Sequence, residues 1–247
     1  MAWSSNFYHK QVLWGGVYLG EPTAWHRRRA RWVQEVLGAP PRQVLELGAG
    51  GGQDAFALAK EGFDVVAVER EPLLMAHLRQ QLTTHPTPRI HLLEGDFYHI
   101  DLPKENFDGV CYWDGFGTGT DEDQRRLLRR VRTWLKPTGK ALIDVFTPWH
   151  AWQSAGYAEQ VGQARRRYAF DARACRWLDT WKQGNEEIVQ SLRCYSPADL
   201  ILLLESTGLE LIGLKPGGRR DYTNGRFFSE APLEQAMWYT AILQRRR

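Results

Sequence analysis

The sequence has no apolar run among its 247 residues that reaches the roughly 18–20 needed to cross a bilayer, so no membrane partner is expected. The start of the chain (Met1-Ala2-Trp3-Ser4-Ser5-Asn6) does not join a basic stretch to an apolar one, so no secretory leader is expected either. Cysteine is scarce. Cys111, Cys175 and Cys194 stand far apart without metal-ligand spacing, which points to reduced thiols in a cytoplasmic protein and no bound metal. There is no internal repeat and no low-complexity tract. Charge of one sign is also lacking: 32 Lys and Arg against 29 Asp and Glu leave a net charge of +3, too little to bind a polyanion by bulk attraction.

What positive charge there is comes in arginine clusters: Arg27-Arg28-Arg29 with Arg31, Arg125-Arg126 with Arg129-Arg130, Arg165-Arg166-Arg167, and Arg245-Arg246-Arg247. Such clusters can contact phosphate. Neighbouring Glu35, Asp121, Glu122 and Asp123 also allow them to be ordinary solvated helix faces. Nucleic acid is therefore not the expected partner.

The apolar share of 43% suits one sizeable core. Pro22 and Thr23 open a helix that Trp25, Trp32, Val33, Val36 and Leu37 carry to a stop at Gly38. Strands are expected at Gln43–Leu47, Asp64–Val68, Ile90–Leu93, Phe107–Trp113 and Lys140–Phe146. Helices are expected at Gln53–Glu61, Pro72–Leu82 and Glu122–Leu135, with a turn at Pro137-Thr138-Gly139. This alternation predicts a doubly wound, mostly parallel α/β sheet covered on both faces. After residue 147 the pattern breaks. We read a helix near 150–163, short antiparallel strands around Arg166–Phe170 and Glu187–Tyr195, a helix capped by Ser196 running to Thr207, strands at Leu209–Leu214 and Ala236–Leu243, and a loop at 215–232.

The chemistry concentrates where the strand Val44–Leu47 runs into Gly48-Ala49-Gly50-Gly51-Gly52 and a helix follows. Glycines there let the backbone turn sharply and approach a ligand, and a helix N-terminus adds a positive dipole end. Glu69 ends the next strand about 20 residues on, where a carboxylate can accept the ribose hydroxyls of an adenosine-type cofactor. A tight turn alone is the plainer reading of the glycines, but the acid at the following strand end favours a ligand site.

Five segments carry a family resemblance: Glu46-Leu47-Gly48-Ala49-Gly50-Gly51-Gly52, Val66-Ala67-Val68-Glu69, Glu94-Gly95-Asp96-Phe97, Phe107-Asp108-Gly109-Val110 and Leu135-Lys136-Pro137-Thr138-Gly139-Lys140. In this order, over residues 40–147, the chain resembles the class I S-adenosylmethionine-dependent methyltransferases. The resemblance implies a Rossmann-like seven-stranded sheet, a small antiparallel cap inserted after strand five, and S-adenosyl-L-methionine as cofactor. It implies that Glu46, Gly48 and Gly50 line the methionine part, Glu69 the ribose, Arg70 the adenine face, and Asp96 with Phe97 the adenine edge. Tyr112 and Trp113 would lie beneath the donor, facing the acceptor.

The stretch from Phe7-Tyr8 to Trp14-Gly15-Gly16 is similar to a segment of several small-molecule methyltransferases, among them enzymes that methylate sarcosine, where it folds over the donor. That would set Tyr8 and Trp14 against the cofactor, although Val17-Tyr18-Leu19 departs from the pattern. Cys194-Tyr195-Ser196-Pro197 with Gly208 resembles the region after the fifth strand of the same group. The division implied is 1–38 lid and helix, 39–147 donor-binding core, 148–195 acceptor cap, and 196–247 the rest of the core sheet.

Transfer from a sulfonium is an in-line displacement that depends first on positioning. Candidate catalytic residues near the strand ends are Tyr112, Asp114 and His150, while His9 and His26 read as surface residues. Trp113, Trp149, His150 and Arg193 are candidate acceptor contacts. Tyr112-Trp113-Asp114-Gly115 stands where enzymes that methylate exocyclic base amines carry Asn-Pro-Pro-Tyr or Asp-Pro-Pro-Tyr. The expected activity is methylation of a nitrogen or oxygen on a small-molecule acceptor by a monomer or homodimer. An RNA or protein methyltransferase using the arginine clusters, and a non-catalytic donor-binding module, remain the alternatives.

Overall fold

The computed structural model describes residues 2–246, so Arg247 of the last arginine cluster lies outside the described residues. The chain opens with α1 (Ala2–Gly15) and α2 (Ala24–Leu37). The alternating core follows: β1 (Gln43–Leu47), α3 (Gln53–Lys60), β2 (Asp64–Glu69), α4 (Pro72–Thr84), β3 (Ile90–Glu94), β4 (Phe107–Tyr112), α5 (Asp121–Trp134) and β5 (Leu135–Phe146). Then come α6 (Pro148–Ser154), β6 (Ala158–Val161), β7 (Ala164–Asp171), β8 (Arg176–Gln183), β9 (Glu186–Arg193), α7 (Pro197–Leu203) and β10 (Leu209–Pro216). The short β11 (Arg219–Arg220) and β12 (Phe227–Phe228) precede the last strand, β13 (Trp238–Arg245).

Seven strands form the main sheet in the order β10-β13-β5-β4-β1-β2-β3. The β5-β4-β1-β2-β3 pairings are all parallel, and β13 runs antiparallel to both its neighbours. The strand order reverses between β1 and β4, which leaves a crevice at their carboxyl ends. Val44, Leu45, Val65, Val110, Ala141 and Leu142 are fully covered, which explains why these strands read as unbroken apolar runs. Thr120 and Ser196 cap α5 and α7 as capping boxes with Asp123 and Asp199.

The cap is a separate four-stranded antiparallel sheet, β6-β7-β8-β9, inserted between α6 and α7. Its inner face carries the alternating Trp177, Asp179 and Trp181 of β8, all buried. The Trp177–Trp181 strand is one the sequence did not announce. Its aromatic and polar residues alternate around charges, and their inward face is defined only by what packs on it.

The N-terminal stretch, for which no secondary structure was expected above, is the helix α1; its apolar residues face the cap sheet, and Phe7 and Trp14 pack with Ala164 and Trp181. Two expectations are corrected. The helix expected at 150–163 ends at Ser154, because Gly156 takes a left-handed φ of 89° and the chain turns into β6. Pro137-Thr138-Gly139 lies inside β5, where the pairing with β4 shifts register between Phe107 and Gly109.

Candidate active site

The carboxyl ends of β1, β2, β3 and β4 open into a cavity of about 240 Å³. Its floor is the glycine turn after β1. Gly48, Gly50 and Gly52 have φ of 65°, 57° and 89°, a backbone that side-chain-bearing residues rarely adopt. Glu69, buried at the end of β2, ties this turn to the next. One carboxylate oxygen accepts the Gly50 N–H (2.8 Å), and the other accepts the N–H groups of Arg70 (2.7 Å) and Glu71 (2.8 Å). Burial raises the Glu69 pKa, while these three N–H groups oppose the rise. A carboxylate offers about four acceptor positions, so about one remains for a ligand hydroxyl.

At the end of β3, Asp96 accepts from Arg70 Nη1 (2.9 Å) and from the Tyr98 N–H (2.9 Å). Burial favours its protonation, but the Tyr98 N–H and the Arg70 charge outweigh it and hold the carboxyl below its ordinary value. Phe97 stands edge-on to Tyr112, with ring centres 5.2 Å apart. Together they wall the slot above Gly48.

At the other end of the floor, Arg29 of α2 bonds Asp54 (3.0 Å) and Asp144 (3.2 Å) and lies 4.5 Å over the Trp113 ring. Glu46 lines the cavity beside them, with one buried carboxylate oxygen that has no hydrogen-bond partner. Its pKa is pushed well up, first by burial and then by the Asp54 charge. Two arginines, Arg29 and Arg70, face five carboxylates among the lining residues: Glu46, Asp54, Glu69, Asp96 and Asp114. The cavity is acidic although the chain is weakly basic.

The roof comes from far away in the chain. Tyr18 sits on the glycine turn at a positive φ of 66°. Its carbonyl accepts from Gln53 Nε2 (2.8 Å), and a Cβ on Gly51 would stand 1.8 Å from that oxygen, so only glycine admits this strap. The Tyr18 hydroxyl bonds Asp114 just after β4 (2.5 Å). The Tyr8 hydroxyl accepts from Gln190 Nε2 of β9 (2.9 Å), and His9 pairs with Glu71 at the N-terminus of α4 (2.8 Å). Asp114 lines the cavity and is open to solvent; the protein packed around its carboxyl raises its pKa, which the Tyr18 hydrogen bond and the Arg166 charge oppose.

The cavity therefore gathers Tyr8, Glu46, Gly48, Gly50, Glu69, Arg70, Asp96, Phe97, Tyr112, Trp113 and Asp114, all named from the sequence. Four other candidates lie outside its lining. Trp14 is in the α1–cap core, where its carbonyl accepts the Gln163 N–H (2.8 Å). Trp149 donates its indole N–H to the Ala236 carbonyl (3.0 Å), pinning α6 to the loop before β13. His150 is enclosed by Phe146, Trp177 and Tyr222, and burial, aided by the charges of Arg166 and Arg220, lowers its pKa to about 3. Arg193 lies over Tyr195 (4.7 Å) and faces Asp121 (3.7 Å).

Conversely, Tyr18, Trp25, His26, Arg29, Gln53, Asp54, Tyr98 and Thr118 line the cavity without having been named as site residues. His26 in particular is not a mere surface residue. Arg29 was hidden in an arginine cluster. The signal was available, because it falls on the α2 face with Ala30, Val33 and Leu37, which are buried.

Residues 44–139 match a family model described as a methyltransferase domain. A cypemycin N-terminal methyltransferase from a Streptomyces species is 31% identical over 132 residues, which is 53% of this chain and 52% of that protein. Among solved structures, the CcbJ methyltransferase from Streptomyces caelestis superposes with a TM-score of 0.74 at 23% identity, covering 97% of this chain and 98% of the other. An S-adenosylmethionine-dependent methyltransferase from Clostridium acetobutylicum gives 0.70 at 12% identity, with 99% and 98% covered. The chain spans about half the length, or less, of the curated relatives it matches, and those matched over the shortest stretches are ribosomal RNA methyltransferases. Residues 44–139 are thus similar to a methyltransferase domain, and the fold of the chain is that of the class I S-adenosylmethionine-dependent methyltransferases.

The residues present suit the cofactor of that class. The orphaned Glu46 oxygen calls for a donor such as an amino group, and the free acceptor position on Glu69 suits one ribose hydroxyl. Phe97 and Tyr112 add aromatic surface beside Gly48 for the apolar parts of the cofactor.

Proposed function

We propose that this protein transfers the methyl group of S-adenosyl-L-methionine to a nitrogen or oxygen of a small-molecule acceptor, the end of a short peptide included. The observation that carries the reading is the roofed, acidic cavity: α1, the Tyr18 strap and β9 close over the floor through the Tyr18–Asp114 and Tyr8–Gln190 bonds. When bound, the cofactor supplies an electrophilic methyl on a cationic sulfur. Glu46, the glycine turn, Glu69 and Asp96 would orient it from below. Tyr112, Trp113 and Asp114 would face the acceptor, and the roof would exclude water and align the two groups.

The arginine clusters argue against an RNA acceptor. Arg29 and Arg166 are spent on internal ion pairs, Arg126 on Asp123 and Arg129 on Glu122, and Arg130 on the Phe97 carbonyl. A polyanion would also meet five carboxylates in the cavity. Retention of the cofactor-facing carboxylates supports an active enzyme over a non-catalytic donor-binding module. We further read residues 1–38 as lid and helix, 39–147 as donor core, 148–195 as cap and 196–247 as the remainder of the sheet. Free cysteines, with no helix among the described residues long and apolar enough to cross a membrane, support a cytoplasmic setting.

The test is transfer of labelled methyl from S-adenosylmethionine to two pools offered side by side: small metabolites with short peptides, and total ribosomal RNA. Label in the small pool is expected. Label confined to RNA would overturn the acceptor assignment, and no label in either pool, with S-adenosylhomocysteine still bound, would favour the non-catalytic module.

A further inference from the structure

We propose that the acceptor is an amine, and that Asp114 holds its nitrogen and takes its proton, with Tyr18 the residue that ties this anchor to the donor loop. The inference rests on the methyltransferase reading and names the substrate class of the same cavity.

Three observations converge. The first is charge. The carboxylate of Asp114 reaches the cavity with a hydroxyl as its hydrogen-bond partner, Tyr18 at 2.5 Å, and no cation pairs with it among the ion pairs of the described residues. The two arginines whose fields reach it are engaged elsewhere: Arg166 forks onto Asp179 (2.6–3.1 Å), and Arg29 is shared by Asp54 and Asp144. An acidic cavity with an uncompensated carboxylate recognises a cation or a group about to become one.

The second is the set of hydroxyls. A side chain at Gly115, next to Asp114, would meet the Tyr112 hydroxyl at 2.8 Å and the Tyr8 hydroxyl at 3.1 Å, so both oxygens converge beside the carboxylate. Gly115 itself, at a φ of 140°, leaves that space open. Burial raises the pKa of Tyr8 and Tyr112, which keeps them neutral. Neutral hydroxyl oxygens accept amine N–H groups while leaving the nitrogen lone pair unprotonated and aimed elsewhere.

The third is the absence, among the described lining residues, of an imidazole placed as a base for a hydroxyl acceptor. His26 is the imidazole that lines the cavity. Its Nδ1 accepts the Thr23 N–H (3.0 Å), so the neutral ring carries its proton on Nε2 and has no lone pair to offer there. His150, with its pKa lowered to about 3, lies outside the lining. The Asp114 carboxylate can take the proton that an amine loses, whereas an alcohol, a far weaker acid, needs a stronger base.

The step balances as follows. The nitrogen lone pair forms the bond to the methyl carbon as the carbon–sulfur bond breaks and its electron pair stays on sulfur. Positive charge passes from sulfur to nitrogen. The surplus N–H proton then passes to the Asp114 carboxylate and on to water. Tyr18 is a positioning residue: its carbonyl is held by Gln53 on the donor loop while its hydroxyl holds Asp114.

The experiment saturates the enzyme with S-adenosylhomocysteine and titrates methylamine, n-butylamine and benzylamine against methanol, n-butanol and benzyl alcohol, following binding by calorimetry and melting temperature. An amine of the series should bind and its alcohol partner should not. Asp114→Asn should bind S-adenosylhomocysteine as wild type does but bind the amine about tenfold or more weakly, the loss of a charge-assisted hydrogen bond. Tyr18→Phe, which keeps the carboxylate, should retain the preference for amines. An equal response to amine and alcohol, no response to either, or an Asp114→Asn protein that binds amine unchanged would overturn the inference and leave the donor reading standing. Failure of wild type to bind S-adenosylhomocysteine would overturn both.

Discussion

The floor and the roof of the cavity are built by opposite rules. The floor is made of short turns at the ends of adjacent parallel strands: the glycine turn after β1, Glu69 at the end of β2, and Asp96 after β3. The register of one sheet decides where each of them stands. The roof draws on residues with no sequence relation: Tyr8 with Gln190, Tyr18 with Asp114, and Phe7 and Trp14 with Trp181. The difference teaches that the floor, proposed above as the donor side, is a local property of the backbone. The roof, proposed as the acceptor side, is a property of long-range packing. The two meet at one point, where the Tyr18 carbonyl lies against Gly51.

The comparison can be broken most severely at its floor. Glu69→Ala strips three buried backbone N–H groups of their acceptor. The protein should lose about 3 kcal/mol or more of stability in urea unfolding, together with S-adenosylhomocysteine affinity. A folded variant with unchanged affinity would refute the ribose assignment.

Removing residues 1–16 attacks the roof alone. The parallel core should remain folded by circular dichroism. S-adenosylhomocysteine affinity should fall about tenfold as water reaches the site and Trp181 loses its cover, and turnover should fall with it. Full affinity and full turnover in the truncated protein would show that the roof does not act on the donor.

Acid separates the two regions by sign. In the cap, burial holds His150 neutral down to about 3, so its contribution to folding is complete above the ordinary 6.5 and is lost as pH falls from there toward 3. In the core sheet, Asp144 is raised to about 6, chiefly by burial and against the Arg29 charge, so its contribution is complete below 3.8 and is lost as pH rises through 6. Between pH 6 and 4 the cap should therefore weaken while the core does not, and hydrogen exchange should show β7–β9 opening first. His150→Phe should remove most of that acid sensitivity, and persistence of the sensitivity in this variant would assign it to another group.

The smallest effects should come from the candidates outside the lining. Arg193→Ala and Trp149→Phe should change S-adenosylhomocysteine affinity by less than about twofold by calorimetry, since each makes its bonds away from the cavity. A tenfold loss in either would mean that the cavity reaches further than its lining here.

How far the chain could be read follows the same division. The five core strands and their order of appearance were legible, because strands covered on both faces must be apolar throughout. So was the meeting of Glu46, Gly48, Gly50, Glu69, Arg70, Asp96 and Phe97 around one cavity, because a turn that approaches a ligand needs glycine and the residues after it follow at fixed offsets. Helix α1 was not legible. Its sequence carries no one-sided apolar stripe, because Phe7 and Trp14 face a sheet and His9 and Lys10 face charged partners on two different elements. That His150 and Arg193 lie outside the cavity lining was not legible for a related reason. Polar residues in an aromatic-rich stretch look like ligand contacts until their protein partners are known.

By itself, the sequence determined the floor of the cavity: the parallel sheet, the glycine turn and the carboxylates at the strand ends. Backbone sterics and strand periodicity act over a few residues and leave their mark in a few letters. Only the tertiary structure decided the roof and the charge of the cavity. It turned a chain of net charge +3 into one with a cavity facing five carboxylates, by pairing Arg166 with Asp179 and Arg29 with Asp54 and Asp144. Charge inside a fold depends on which groups neutralise one another through low-dielectric contact, and those partners are set by packing between segments that the sequence holds far apart.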